Sequence, residues 1–270
     1  MPTALYSAPL TNGAIPSTMT SMSANGVVLQ SPYSPSGIPN HIFLTTAPDG
    51  SPCLQSSLVA GDASTSGGHR SEIGWPFDGA LAERWYTIEI YLPSSFDSSA
   101  QVCLFQIHDQ WNDNTDSLWG SGREKWVNLG CHAKNGKFLF LIPINAPDDT
   151  WLNYRIGGIA ELLYEQWAQL VVHANWANDT TGFYEIWYGG RKVVSEWNRA
   201  AGYAEPNGPA VRFGVYASSG DPHMDVTRTA WYRNAAIYAG SAVANWQDIF
   251  VSTAPPKPKP SAVLVGRGWR

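Results

Sequence analysis

Residues Gln101–His108 read QVCLFQIH, and their alternation decides the fold class. In an extended chain successive side chains point to opposite faces. Val102, Leu104, Gln106 and His108 therefore share one face, and Gln101, Cys103, Phe105 and Ile107 the other. The polar run Asp109–Asp116 that follows marks a strand leaving into a loop. One face passes from two apolar residues to a Gln and a His. Side chains that donate, accept and titrate at the end of a sheet face make a candidate site. The plain alternative is a strand-end histidine bonded to a neighbour.

The same alternation recurs outward from this stretch. Trp85–Leu92 (WYTIEIYL) alternates and is ended by Pro93. Further strands are expected at Val27–Gln30, His41–Thr46, Cys53–Val59, Phe138–Ile144, Trp167–Trp176, Val211–Tyr216 and Val226–Tyr238. Phe183–Tyr188, Gly189-Gly190 and Arg191–Val194 predict a hairpin with a primed turn. Residues 109–136 read as a long polar and aromatic loop, and 145–166 as a second excursion with a short helix around Ile159–Gln166. Many strands, little helix and no βαβ rhythm predict an all-β fold. The expected form is an antiparallel β-sandwich, a concanavalin-like β-jelly roll with a concave groove. The expected division is an irregular segment at 1–40, the jelly-roll domain at 41–253, and a Pro-rich linker (APPKPKP, Ala254–Pro260) with a tail at 254–270.

A chain of 270 residues suits one large β domain. Aromatic residues make up 13%, which suits stacking on sugar faces as well as filling a sandwich core. A net charge of −5 speaks against general attraction to nucleic acid or an anionic membrane, so an anionic ligand would need local basic residues. Cys53, Cys103 and Cys131 form no C-x-x-C, so the usual zinc spacing is absent, and Cys103 reads as a small buried apolar residue. No apolar run of about 18 residues exists to span a membrane. The N-terminal MPTALYSAPLTNG lacks the basic and apolar regions of a secretory signal.

Val211–Tyr216 (VRFGVY) sets Arg212, Gly214 and Tyr216 on one face against Val211, Phe213 and Val215. A Gly inside a strand marks the close approach of a ligand or chain, and here it is expected to clear floor space between a cation and a phenol. The turn-rich GDASTSGG at Gly61–Gly68 delivers Arg70 and Glu72, two apart and therefore on one face, with Glu72 placed to orient an Arg. His173 shares a face with Gln169 and Asn175 in the strand WAQLVVHANW.

GHRSE around Arg70 and Glu72, FQIH ending at His108 and RFGVY ending at Tyr216 occur in that order. Together they resemble the β-jelly-roll polysaccharide lyases that include heparin lyase I and glucuronan lyase, and more distantly the jelly-roll alginate lyases. LVVHANWANDTTGFYEIWYGG is a weaker match, and the resemblance spans residues 65–240. It implies β-elimination on a uronic-acid-containing polysaccharide: the C5 proton is removed and the sugar at C4 expelled. Arg70, Gln106, His173 and Arg212 would bind the anionic substrate. Either His108 is the base and Tyr216 the acid, or Tyr216 performs both transfers. The implied setting is extracellular or secreted, or a module of a larger extracellular or virion assembly. No cofactor is required. Asp109, Asp113 and Asp116 offer oxygen ligands for a structural calcium, although their spacing is not that of a known calcium loop. The family usually carries Lys where Arg212 stands, and Arg keeps the charge but is a poor base. Ala210 and Arg212 also occupy places where the alginate-type motif has Tyr and Lys.

Other readings use the same residues differently. A noncatalytic, lectin-like carbohydrate-binding sandwich would employ the same aromatics and groove. A glycoside hydrolase on a similar fold would need two facing carboxylates, and Glu89 with Glu185 is the best pair by pattern. A purely structural sandwich in a larger assembly is the third alternative. G-x-S-x-G, P-loop and strand–G-x-G-x-x-G–helix patterns are absent.

Overall fold

Alternating apolar segments become strands wherever they can pair. A computed structural model describes residues 2–7, 21–24, 27–30, 41–62, 68–75, 82–108, 127–143, 154–202, 209–218 and 225–250. Among these, two eight-stranded antiparallel sheets form. The back sheet runs β14 (Arg191–Trp197), β13 (Phe183–Tyr188), β12 (Trp167–Asn175), β7 (Glu83–Tyr91), β16 (Arg228–Ala239), β5 (Pro52–Leu58) and β4 (Ile42–Thr46), with β1 (Tyr6–Ser7) also on β16. The front sheet runs β11 (Tyr154–Glu161), β10 (Lys137–Pro143), β9 (Val127–Lys134), β8 (Val102–His108), β15 (Ala210–Ser218), β6 (Gly68–Trp75), β3 (Val27–Gln30) and β2 (Ser21–Ala24). The sheets bury one apolar face each against the other. Leu54, Ile88, Val172, Ile186 and Tyr232 meet Phe105, Leu129, Phe138, Phe140 and Phe213 in one continuous core. This is the jelly-roll sandwich expected from the alternation. No helix among the described residues is long and apolar enough to cross a membrane.

Local chemistry explains where expectation and structure agree. The β13–β14 turn places Gly189 at φ 55° and Gly190 at φ 78°, the left-handed geometry that a primed turn requires. It also explains the differences. The expected loop 109–136 contains β9, which turns into β10 through Asn135 (φ 49°) and Gly136 (φ 73°), a second primed hairpin. The helix expected around Ile159–Gln166 is instead the end of edge strand β11 and a turn. Pairing with β10 through Glu161 satisfies the backbone as a strand instead. The N-terminal segment supplies more than the one expected strand, since β1 and β2 join β3 and reach both sheets. The expected linker and tail at 254–270 and the acidic loop 109–126 lie outside the described residues.

Two of the bulges in the front sheet shape the site. Along β8, Cys103 pairs with His132 of β9, but Phe105 pairs with the very next residue, Cys131, so Leu104 is extra. Val102, Leu104, Phe105 and Ile107 consequently all enter the core, while Cys103 lies opposite Tyr216 and Gln106 opposite Arg212. The simple alternation that joined Val102 and Leu104 to the face of Gln106 is thus corrected. The second bulge is in β15, where Gly214 and Val215 interrupt the pairing with β8. Its backbone groups are satisfied from the back sheet. Tyr232 donates its hydroxyl to the Gly214 carbonyl at 2.7 Å, and the Val215 amide donates to Ser56 Oγ at 3.0 Å. Ser56 in turn donates to the Ser71 carbonyl at 2.5 Å. Gly214 has φ 141°, and a Cβ there would fall 2.1 Å from the Ser71 carbonyl oxygen. The floor space expected at this glycine is therefore filled by the backbone of β6.

Candidate active site

The regular pairing of β6 with β15 sets Arg70 opposite Tyr216, Glu72 opposite Gly214 and Gly74 opposite Arg212. On the other flank of β15, β8 contributes Gln106 beside Arg212 and Cys103 beside Tyr216. Neighbouring strands are about 4.8 Å apart, so three strands gather two cations, an amide, a phenol and a carboxylate on one face. His108 follows two residues after Gln106, its backbone paired with Ala210 and Val127. Its side chain lies outside what is described.

Glu72 is the buried centre of the cluster, only 2% exposed. Gln106 Nε2 donates to its Oε1 at 2.6 Å, and Arg70 Nη1 to its Oε2 at 3.5 Å. The Arg70 guanidinium also lies over the Tyr216 ring, 4.0 Å from its centroid. Burial raises the pKa of the Tyr216 phenol. Arg70 opposes that rise, and Cys103 and Glu72 reinforce it. The net direction is upward, so the phenol holds its proton. Cys103 is buried as expected, but in this cluster rather than between the sheets, and burial pushes its thiol well above the ordinary range.

His132 is a neighbour that sequence reasoning missed. It pairs with Cys103, and its Nδ1 is 3.4 Å from Gln101 Nε2. Burial drives its pKa down to about 4, which leaves the imidazole neutral at ordinary pH. The Asn135-Gly136 turn signal could have revealed its strand and register.

His173 does not join the cluster. It belongs to β12 of the back sheet, where Val172 and Ala174 enter the core and His173 faces the opposite way. Its ring stacks on Trp85 at 3.7 Å between Glu83 at 2.7 Å and Glu185 at 3.3 Å. Its expected grouping with the substrate-binding residues is corrected, because alternation assigns a face within a strand and says nothing about which sheet. The two carboxylates weighed for glycoside hydrolysis are also in the back sheet and already engaged. Glu89 is fully buried and bound by Arg233 at 2.8 Å and by Asn234. Glu185 is bound by Lys192 at 2.5 Å and by His173. Among the described residues no group of three or more His, Cys, Asp or Glu side chains is placed to hold a metal ion. Asp109, Asp113 and Asp116 lie outside them.

The chain is similar to known proteins in sequence pattern and in fold. A family model described as polysaccharide lyase matches residues 44–236. No curated protein matches the chain in sequence. In three dimensions the chain is similar to an endo-β-1,4-glucuronan lyase from the fungus Trichoderma reesei, at 19% identity and a TM-score of 0.54, covering 70% of this chain and 82% of that one. It is also similar to the alginate lyase Aly36B, at 16% identity and a TM-score of 0.53, covering 75% and 85% respectively. The alginate lyase vAL-1 from Chlorella virus is similar at 12% identity and a TM-score of 0.51, covering 74% and 89%. At these identities the likeness speaks for the fold.

Proposed function

Because the chain belongs to the polysaccharide lyase family, we propose that it cleaves a uronic-acid-containing polysaccharide by β-elimination on the face that carries Arg70, Gln106, Arg212 and Tyr216, with His108, two residues after Gln106, as its base. The observation that supports this most is the cluster itself. Arg70 lies on Tyr216 and shares Glu72 with Gln106, an arrangement of donors around a protonated phenol.

The chemistry follows from these groups. The C5 proton of a uronate is weakly acidic because the adjoining carboxylate is already negative. Arg70, Arg212 and the second N–H of Gln106 would neutralise that carboxylate so that charge can develop on it. His108, as base, takes the C5 proton. The C–H electron pair forms the C4–C5 double bond, the bond from C4 to the glycosidic oxygen breaks, and Tyr216 donates its proton to that oxygen. The upward direction of the Tyr216 pKa favours this division over one in which Tyr216 does both transfers, since a base must ionise first. Arg212 serves as a fixed charge rather than a base. The reading places the protein where such polymers occur, outside the cell or on a virion.

The test is product chemistry. Purified protein incubated with glucuronan, alginate and heparin-type polymers should generate the ultraviolet absorbance of unsaturated uronates on at least one, and Tyr216→Phe should not. Reducing ends without that absorbance would indicate a hydrolase. Binding without either would indicate a carbohydrate-binding domain.

A further inference from the structure

We propose that Glu72 is the positioning residue of this site, its buried carboxylate holding the Gln106 amide and the Arg70 guanidinium in the poses that receive a substrate carboxylate. This rests on the lyase reading and deepens it. An ionised carboxylate only accepts hydrogen bonds, whereas an amide has a donor edge and an acceptor edge. With Glu72 Oε1 2.6 Å away, Gln106 must present its nitrogen there. The second N–H sits on that same nitrogen, so the carboxylate commits the donor edge of the amide. Without Glu72 the amide is free to turn, and in one orientation its carbonyl would repel an incoming carboxylate.

Arg70 is constrained in the same way. The Tyr216 ring supports the guanidinium from one face, and Arg70 Nη1 donates to Glu72 Oε2 at 3.5 Å, which helps to set its orientation within its own plane. One carboxylate thus sets two donors from two strands, β6 and β8. The geometry is possible because Gly214, opposite Glu72 in register, lets β6 approach closely.

A buried anion beneath a site for anions also opposes substrate binding. Glu72→Gln keeps the shape and removes the charge. Its turnover should fall at least about tenfold as the donors lose their alignment. Its KM for a uronate oligosaccharide should stay level or fall, because the repulsion is gone. Glu72 also contributes to the raised pKa of Tyr216, so the variant should titrate Tyr216 at lower pH.

The experiment combines steady-state kinetics with carbon NMR of tyrosine-labelled, substrate-free protein, the Tyr216 signal being assigned with Tyr216→Phe. Glu72→Gln is expected to show the kcat loss, the level or lower KM and the downward titration. Glu72→Asp, which keeps the charge but shortens the reach, is expected to lose turnover while its Tyr216 titration stays closer to that of the parent; it serves as the test if Glu72→Gln does not fold. Normal lyase kinetics with an unmoved Tyr216 titration would overturn the role of Glu72 alone. A moved titration in a protein whose parent yields no unsaturated product from any uronate polymer would overturn the lyase reading instead, and with it the assignment of a catalytic purpose to Glu72.

Discussion

The guanidinium of Arg70 lies 4.0 Å from the centroid of the Tyr216 ring, a cation resting on the phenol that is proposed to donate the proton. The protein carries a net charge of −5, so attraction of a polyanion must come from such local cations. Arg70→Ala should weaken binding of a uronate oligosaccharide and flatten its dependence on salt, measured by titration calorimetry across ionic strengths. It should also move the Tyr216 titration upward, since Arg70 acts against the effect of burial. Unchanged affinity in a folded variant would remove Arg70 from the site.

Tyr216→Phe deletes one oxygen and keeps the ring under Arg70. Turnover should fall by about 100-fold or more, the scale for losing a positioned acid. Stability should change by less than about 1 kcal/mol in denaturant unfolding, because the phenol is only partly buried. In the parent protein the rate should be lost at high pH as Tyr216 ionises, above the ordinary phenol value. At low pH it should fall as a histidine base takes up a proton.

The bulge in β15 is predicted to matter as much as the side chains it presents. Tyr232→Phe leaves the buried Gly214 carbonyl without its hydroxyl donor and should cost about 1–3 kcal/mol. Gly214→Ala forces a side chain into positive φ at a cost of about 1–3 kcal/mol, with a further clash against Ser71. Both variants should lower kcat although neither residue touches substrate, since each shifts Arg212 relative to Tyr216. Chemical denaturation and turnover of the two variants check this.

His132 gives stability an acid-side slope. Its folded-state pKa, pushed down to about 4 by burial, lies below the ordinary 6.5. Between those values the unfolded chain binds the proton more readily, so stability falls as pH falls through that window. His132→Gln should flatten the melting temperature over the same window, as read by scanning calorimetry. An unchanged slope would mean that His132 is not the group responsible.

The legibility of this fold depended on which physical signals are local. Gly189-Gly190 could be read as a primed turn because positive φ at both positions selects Gly. Arg70 with Glu72, and Arg212 with Tyr216, could be grouped because β6 and β15 pair without interruption. Cys103 could not be placed, since one extra residue at Leu104 reverses parity and nothing in QVCLFQIH announces it. His173 was misgrouped because its alternation is as good as that of Gln106 but belongs to the other sheet. Tyr232 and Ser56, which hold the bulge, are long-range partners visible only once the sheets are stacked. The Asn135-Gly136 turn was a local signal that would have identified β9.

Elimination at a uronate and hydrolysis differ in the mass of their products. A defined uronate oligosaccharide digested by the parent protein should give fragments whose new non-reducing ends carry a C4–C5 double bond. Each such fragment should weigh one water less than its hydrolysis counterpart, and Tyr216→Phe should leave nearly all of the substrate intact over the same digestion. Fragments of full hydrolytic mass, or unsaturated products formed by Tyr216→Phe at the parent rate, would contradict the account.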